Sequence, residues 1–141
     1  MKPEAGAGGD ARAAERAKRL GAWGERAALG ALRKERYHIW RLNWRARGGE
    51  LDIIATEGPV LVFIEVKTRS GRAALAFAPA DAVDEAKARR MKRAAGDFIR
   101  AHEVEIKRRR LRSYRFDIVT VTLARGNGQE VLHLKDVLSW D

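Results

Sequence analysis

The chain of 141 residues contains no cysteine. Disulfides, cysteine nucleophiles and thiolate metal sites are therefore excluded, and the composition fits a reducing compartment. No apolar run approaches the length that spans a membrane, and residues 1–20 contain no apolar signal-peptide core. We therefore expect a cytoplasmic protein without a membrane partner.

Acidic residues are also few, since 19 Asp and Glu stand against 29 Lys and Arg. The formal net charge is +10 and the pI is near 10.6. Such an excess attracts polyanions, namely DNA, RNA or an anionic membrane surface. A net charge far from zero also favours solubility, and solubility alone remains an alternative explanation of the basic composition. The three histidines, at positions 38, 102 and 133, show no ligand spacing, so a zinc site is not expected.

The pattern of apolar residues predicts one α/β domain with a mixed sheet flanked by helices, in the order α-β-β-β-α-β-β. We expect a disordered arm at 1–10 and the domain at 11–141. Helices are predicted at 11–36 and 81–103, strands at 37–45, 50–56, 60–68 and 114–124, and a basic loop at 106–113. Residues 130–138 are predicted as a last short strand that runs into a turn or helix. Gly21 and Gly24 interrupt the first helix, which indicates either a break or a face that another element approaches closely.

Two of the apolar strands are joined by a turn centred between Gly58 and Pro59. In the antiparallel register that this turn sets, Asp52 faces Glu65. Because strand side chains alternate between the two faces, Lys67 projects from the same face as Glu65. Three ionisable groups are therefore predicted to meet at one end of an otherwise apolar hairpin.

Two facing carboxylates repel each other, and partial burial strengthens the repulsion. A shared proton or a cation between them relieves it. Oxygen ligands of this kind suit Mg²⁺ or Mn²⁺, and a lysine beside the ion can hold a water or steady phosphate charge. These groups are typical of metal-assisted phosphodiester hydrolysis. The alternative is that Glu65 and Lys67 form a solvated salt bridge while Asp52 belongs to a turn.

Five stretches of the chain follow one known pattern. In order they are GAWGERAA (21–28), GGELDIIA (48–55), VFIEVKTR (62–69), AVDEAKARRM (82–91) and RFDIV (115–119). Together they resemble the UPF0102 (YraN-like) family, which is similar to the archaeal Holliday-junction resolvases of the restriction-endonuclease-like, or PD-(D/E)xK, superfamily. The resemblance covers most of the chain and implies a restriction-endonuclease-like core with a central mixed sheet.

The resemblance also implies roles for single residues. By it, Asp52 and Glu65 are the metal-binding carboxylates, Lys67 is the catalytic lysine, and Glu25 is an acid aimed into the site from the first helix. For Glu25 the alternative is an ordinary exposed glutamate. The proline of the superfamily motif is absent before Asp52, where GGEL stands. The implied cofactor is Mg²⁺ or Mn²⁺. Since resolvases act as symmetric dimers, a homodimer is also implied, although no dimer face can be read from the sequence.

Several basic residues are candidates for contact with nucleic acid. They are Arg69, Lys87, Arg108, Arg109 and Arg110. Charge runs are more often solvated, and a solvated cation is the favoured interpretation of Lys87. Asp117 is expected to pair with Arg115 or with an arginine of a neighbouring strand, in a structural role. Trp40 and Trp44 are expected to pack in the core rather than stack on bases.

These observations lead to the hypothesis of a metal-dependent endonuclease that hydrolyses phosphodiester bonds in DNA, with branched or repair intermediates as candidate substrates. One alternative is a non-catalytic nucleic-acid-binding module that retains a remnant of a nuclease site. Another is a protein-interaction role in which the basic charge serves only solubility. The sequence does not choose between DNA and RNA.

Overall fold

A computed structural model describes residues 7–70, 83–123 and 128–140, which build a five-stranded mixed sheet covered by helices on both faces. In chain order the elements are α1 (Ala7–Lys34), β1 (His38–Ala46), β2 (Gly49–Glu57), β3 (Val60–Ser70), α2 (Glu85–Ala101), α3 (Glu103–Arg108), β4 (Ser113–Leu123) and β5 (Gln129–Leu134). The α/β class and the restriction-endonuclease-like core are confirmed. Within these ranges, no helix has both the length and the apolar character needed to cross a membrane.

The strands lie side by side in sequence order, from β1 at one edge to β5 at the other. All neighbours are antiparallel except β3 and β4, which are parallel. A parallel pair needs a crossover connection, and α2 and α3 lie within it. The central strand β3 is therefore covered on both faces, which explains its nearly continuous apolar run.

Each face of the sheet packs against its own helix. On one face, Ala28 and Leu32 of α1 join Ile53 and Val62 in a buried core. On the other face, Phe98 of α2 belongs to a second core. Trp40 and Trp44 of β1 each meet Phe98 edge-to-face, with ring centroids 5.1 and 5.4 Å away. The expectation that both tryptophans pack in the core is confirmed.

The hairpin between β2 and β3 has the predicted register. Ile53 pairs with Ile64, and the turn lies at Gly58 and Pro59, where Gly58 adopts a φ of +55°. The paired ladder ends at Ile53 and Ile64, so Asp52 and Glu65 are not ladder partners as predicted. Leu51 and Ile53 also belong to different cores, although side chains two residues apart in a regular strand share a face. The alternation is therefore broken at Asp52.

The structure corrects three details of the predicted order. The short helix α3 occupies Glu103–Arg108, so the predicted basic loop at 106–113 begins inside a helix. Helix α1 starts at Ala7, so residues 7–10 belong to that helix, while 1–6 lie outside the described residues. Helix α2 covers Glu85–Ala101, and residues 81 and 82 of its predicted span are also outside them.

The two glycines of α1 do not break the helix, which continues to Lys34. Gly24 is buried against β3, where a Cβ atom would lie 1.9 Å from the Oγ1 atom of Thr68. Gly21, by contrast, has no atom within 4 Å of the same position. Of the two predicted explanations, the close approach is correct and applies to Gly24 alone.

Candidate functional site

The two predicted carboxylates meet where β2 begins and the second half of β3 runs past it. The broken alternation at Asp52 turns its side chain toward β3, where its Oδ2 atom accepts a hydrogen bond of 2.8 Å from the backbone N–H of Val66. The carboxyl group of Glu65 lies near enough to Asp52 for its charge to raise the pKa of Asp52. Asp52 and Glu65 therefore lie close together as predicted. They are not paired across the two strands; instead, the side chain of Asp52 accepts a backbone hydrogen bond just beyond the last pair of the β2–β3 ladder.

Asp52 is poorly suited to carry a charge in this position. Burial first, and then the neighbouring charge of Glu65, raise the pKa of Asp52 to about 7. The hydrogen bond from Val66 acts in the opposite direction but does not outweigh them. A carboxyl with this pKa is partly protonated at neutral pH, and the shared proton relieves the repulsion between the two acids.

The positive groups of the site are two neighbouring lysines. Lys87 of α2 places its Nζ atom 2.5 Å from Oε1 of Glu65, and both side chains are less than one-fifth exposed. The interaction of Lys67 with the neighbouring Lys87, followed by burial and the charge of Lys87, lowers the pKa of Lys67 to about 8. Burial alone would lower the pKa of Lys87, but its interactions with Glu65 and Lys67 leave it raised.

Two clefts open beside these four residues. The first has a volume of about 520 Å³ and is lined from α1 by Gly21 and Glu25, and from the sheet by Asp52, Lys67 and others. The second has a volume of about 190 Å³, and its lining residues are Glu50, Asp52, Glu65, Lys87, Arg90 and Met91. Asp52 therefore forms part of the wall between the clefts and can be approached from both sides of the sheet.

Glu25 lies where the resemblance predicts an acid from the first helix. It is half-buried, it lines the first cleft with Asp52, and its charge contributes to the raised pKa of Asp52. The close contact between Gly24 and Thr68 brings α1 against β3 at the neighbouring position. A side chain at position 24 would push the helix, and Glu25 with it, away from the sheet.

The donor set fits a small divalent cation that keeps several ligands from solvent or substrate. Within the described ranges, no group of three or more acidic, histidine or cysteine side chains is placed to hold a metal. Asp52 and Glu65 supply two neighbouring carboxyl groups. Mg²⁺ is usually bound by one or two carboxylates, together with waters and substrate phosphates, so this pair is sufficient for it.

The other predicted contact residues fall in different places. Arg69 lines the first cleft and donates to the carbonyl oxygen of Thr68 at 3.3 Å. Arg108, Arg109 and Arg110 lie at the opposite end of the sheet, because Arg112 donates its backbone N–H to the carbonyl oxygen of Pro59 in the β2–β3 turn. From Pro59 to Glu65 the distance along the strand is roughly 20 Å. The guanidinium of Arg109 stacks over Trp40 at 3.8 Å.

The interpretation of Lys87 as a solvated cation is wrong, since its side chain is only 17% exposed and is bonded to Glu65. A signal was present in the sequence. Lys87 lies four residues before Met91 and so shares the apolar stripe of α2 that continues to Phe98. The sequence analysis also missed Arg90, one helical turn further along, which lines the second cleft.

A second polar cluster is centred on β4 and β5, where Asp117 is paired with Ile64 of β3. Asp117 is fully buried and accepts hydrogen bonds from Arg115 at 2.8 Å, from the ring of His133 at 2.7 Å and from the backbone N–H of Asp136 at 3.0 Å. The other ring nitrogen of His133 lies 2.8 Å from Glu35. We call these residues, together with Tyr37 and Glu57, which Arg115 also contacts, the Asp117 network. The predicted pair of Asp117 and Arg115 is confirmed.

Burial opposes the charge on Asp117, but hydrogen bonds from His133 and Arg115 outweigh it and hold the pKa of Asp117 below its usual range. The pKa of His133 is raised despite burial, because its ring bonds to Asp117 and Glu35. Each charged form in this network is thus stabilised by a partner of opposite sign. That arrangement is typical of a structural role.

Comparison with known proteins places the chain in a family. The model of the uncharacterised protein family UPF0102 matches residues 24–121. The matched range includes the residues to which the resemblance gave roles, namely Glu25, Asp52, Glu65 and Lys67. A UPF0102 protein of Beutenbergia cavernae is 40% identical over 119 residues, covering 84% of this chain and 94% of its own. One from Rhodococcus opacus is 39% identical over 118 residues, covering 83% and 93%. One from Bacteroides thetaiotaomicron is 38% identical over 117 residues, covering 83% and 89%. On this similarity, which extends over most of its length, the chain belongs to the UPF0102 family.

Proposed function

We propose that this protein is a metal-dependent endonuclease that hydrolyses phosphodiester bonds in DNA. One observation carries the proposal. Glu25, Asp52 and Lys67, which come from α1, β2 and β3, line one open cleft, and there the surroundings raise the pKa of Asp52 and lower that of Lys67. Perturbation of this kind, beside an open cleft, is characteristic of sites that bind a ligand or perform chemistry.

The residues divide the work of hydrolysis among themselves. Asp52 and Glu65 would hold Mg²⁺ or Mn²⁺. When bound, either ion would activate a water molecule and neutralise charge on the phosphate. Lys67, with a pKa of about 8, exists in both protonation states near neutral pH, so its Nζ atom can accept a proton from a water or donate a hydrogen bond to a phosphate oxygen. Glu25 reaches the same cleft from α1 and can orient a water there.

The alternative function is a nucleic-acid-binding module without catalysis. This alternative is supported by the ion pair of Glu65 with Lys87. The ammonium group of Lys87 already balances the charge of Glu65, so that charge does not require a metal ion. Both functions take nucleic acid as the partner, and a cytoplasmic location and a homodimer remain part of the proposal. The two differ only in whether a phosphodiester bond is broken.

The test is single-turnover cleavage of labelled duplex, flap, junction and single-stranded DNA in Mg²⁺ and in Mn²⁺. Wild-type protein is compared with Asp52→Asn, Glu65→Gln and Lys67→Ala. We expect each change to lower the cleavage rate about 100-fold or more. Because the residues act as one unit, the combined variants should lose little more than the single ones. Ca²⁺ should support DNA binding but poor cleavage, since it is larger and less demanding in geometry.

The matched controls remove one negative and one positive charge from α3, away from the site. Glu103→Gln and Lys107→Ala change exposed residues of that helix and should leave cleavage at the wild-type rate. Cleavage that persists in Glu65→Gln would indicate a contaminating nuclease. If the wild-type protein cleaves none of the substrates in either metal, the endonuclease proposal fails and the binding module becomes the better account.

A further inference from the structure

Four exposed arginines lie together at the corner where the β1–β2 turn meets α2. Arg45 and Arg47 belong to the end of β1 and the turn, and Arg90 and Arg93 belong to α2. We call these four residues the arginine corner. None of them was among the residues that the sequence indicated for nucleic-acid contact.

Two glycines explain why the four arginines are close. A Cβ atom on Gly48 would lie 3.0 Å from the Cβ atom of Arg93. A Cβ atom on Gly49 would lie 2.8 Å from the carbonyl oxygen of Arg90. The turn therefore rests directly on α2, and any larger residue there would separate the two pairs of arginines. The fold brings like charges together at this corner, although they repel one another.

The neighbourhood of the corner offsets only part of its charge. Glu50 forms an ion pair with Arg45 at 3.8 Å, but both side chains are well exposed, so that pair is weak. Arg90 also lines the second cleft, where it and Lys87 stand among the acids Glu50, Asp52 and Glu65. The exposed arginines of the corner are therefore the positive charge that attracts a polyanion to this side of the acids.

We propose that the arginine corner binds the sugar-phosphate backbone of a nucleic acid and positions the strand at the second cleft, beside Asp52 and Glu65. The inference rests on the proposed function for the identity of the partner. Guanidinium groups suit this role because their planar fork matches two oxygens of a phosphate at once. Among the described residues that line the second cleft, none is aromatic, so the contact is to the backbone and depends little on sequence.

The basic segment at Arg108, Arg109 and Arg110 provides the natural comparison. It has a similar density of arginine, but it lies at the other end of the sheet, and Arg109 is already stacked on Trp40. If overall charge alone governed binding, removing two arginines from either place would have the same effect. If the corner positions the strand, the two places differ.

The experiment compares Arg47→Gln/Arg93→Gln with Arg108→Gln/Arg110→Gln. Each double variant removes two positive charges and keeps long polar side chains. Binding is measured by fluorescence anisotropy in EDTA, over a series of salt concentrations. Three labelled probes of the same sequence are used: duplex DNA, single-stranded DNA and single-stranded RNA. The probe that binds wild type most tightly identifies the nucleic acid that the corner prefers.

For the corner variant we expect at least about a 10-fold loss of affinity, and a slope of log affinity against log salt that is shallower by about 1.8 on duplex or about 1.4 on single strands. The variant at Arg108 and Arg110 should lose less than about two-fold. Equal losses in the two variants, or an unchanged slope in the corner variant, would overturn the inference. So would the absence of wild-type binding to all three probes.

Arg45→Gln/Arg47→Gln serves as a second variant that leaves α2 untouched, and it should show the same loss even if the change at Arg93 disturbs the fold. Binding in EDTA also separates this inference from the proposed function. A wild-type protein that binds through the corner but never cleaves would refute only the endonuclease. A protein that cleaves, but binds normally without the corner arginines, would refute only the inference.

Discussion

The site around Asp52 is centred on β2 and β3 and the Asp117 network on β4 and β5, and their charges are arranged in opposite ways. At Asp52 and Lys67 of the site the surroundings favour the neutral forms, since the pKa of Asp52 is raised and that of Lys67 is lowered, whereas the pKa of Lys87 is raised against the effect of burial by its bond to Glu65. At Asp117, Arg115 and His133 of the network they favour the charged forms, since the pKa of Asp117 is lowered and those of Arg115 and His133 are raised, whereas burial raises the pKa of Tyr37. Both regions are buried to a similar degree, so burial alone does not explain the difference.

The difference lies in the partners. Asp117 is surrounded by donors, whereas the carboxyl of Asp52 meets another carboxyl. Lys67, similarly, meets another lysine. A region that only stabilises the fold gains from matched charges, and a region that brings like charges together loses stability unless a ligand joins them. The comparison therefore indicates that, of the two polar clusters, the one around Asp52 is the better candidate for function.

Matched substitutions at the two aspartates test this contrast most strongly. Asp117→Asn removes a fully buried charge from between Arg115 and His133, and we expect it to lower the free energy of unfolding by about 3–5 kcal/mol. Asp52→Asn resembles the protonated acid and can still accept the bond from Val66, so stability should stay the same or rise. The measurement is urea denaturation at pH 7 in EDTA. Similar losses in both variants would break the comparison.

Replacing Lys87 by Met tests whether the chain supplies the missing cation. The change leaves Glu65 and Asp52 without their nearest positive charge, and we expect a loss on the order of 2 kcal/mol in EDTA. We expect Mn²⁺ to bind the native state and therefore to raise the Tm of wild type and of the variant. Because the metal replaces the lost charge, the deficit should narrow in Mn²⁺. Lys92→Met is the control on the same helix. A deficit that is the same with and without Mn²⁺ would show that Lys87 does not compete with a metal.

The glycines of α1 offer a test of how closely the site depends on helix position. Gly24→Ala introduces a methyl group where Thr68 already stands, and we expect a loss of about 1–3 kcal/mol. Gly21→Ala makes the same chemical change in open space and should stabilise the helix by roughly 0.5–1 kcal/mol. Thermal denaturation of both variants gives the comparison. A neutral result for Gly24→Ala would mean that α1 can move away from β3 at no cost.

The smallest effect concerns the pH dependence of stability near His133. Its folded-state pKa is raised above the unfolded value of 6.5, so the folded protein binds the extra proton more tightly. The resulting stability is complete below pH 6.5 and is lost as the pH rises through the folded pKa. His133→Gln should remove this part of the curve. The measured quantity is the difference in free energy of unfolding between wild type and His133→Gln at each pH. Because Asp52 and Lys67 are present in both proteins, their contributions to the pH dependence cancel in this difference. Parallel curves for wild type and variant would contradict the assignment.

Much of the fold was predictable because its signals are local. Apolar runs identified all five strands, and the turn at Gly58 and Pro59 fixed the hairpin register. The helix α3 was missed because its sequence is dominated by charge and only Ile106 is buried. The close contact at Gly24 was predicted only as one of two alternatives. A glycine within a helix indicates that the position is unusual, but the sequence does not show which element packs against it.

The candidate site was predictable as to residue type but not as to geometry. Asp52 and Glu65 do come together, but the break in alternation at Asp52 depends on β1 and β2 as a pair and leaves no mark in the sequence of either strand. Lys87 was misjudged because its partner lies on another element. The arginine corner depends on which helix rests against the β1–β2 turn, and only the three-dimensional structure provides that information.

The outer edge of β1 has a further consequence for association between copies. An edge strand exposes unpaired backbone groups, on which another strand can extend the sheet. In β1 the pairing shifts between Ile39 and Arg41, and Asn43 adopts a φ of 49°. Exposed Arg41 and Arg45 add positive charge along the same strand. An irregular and like-charged edge resists pairing with a copy of itself, so β1 protects the protein against aggregation. A homodimer, if the protein forms one, is expected to use another surface.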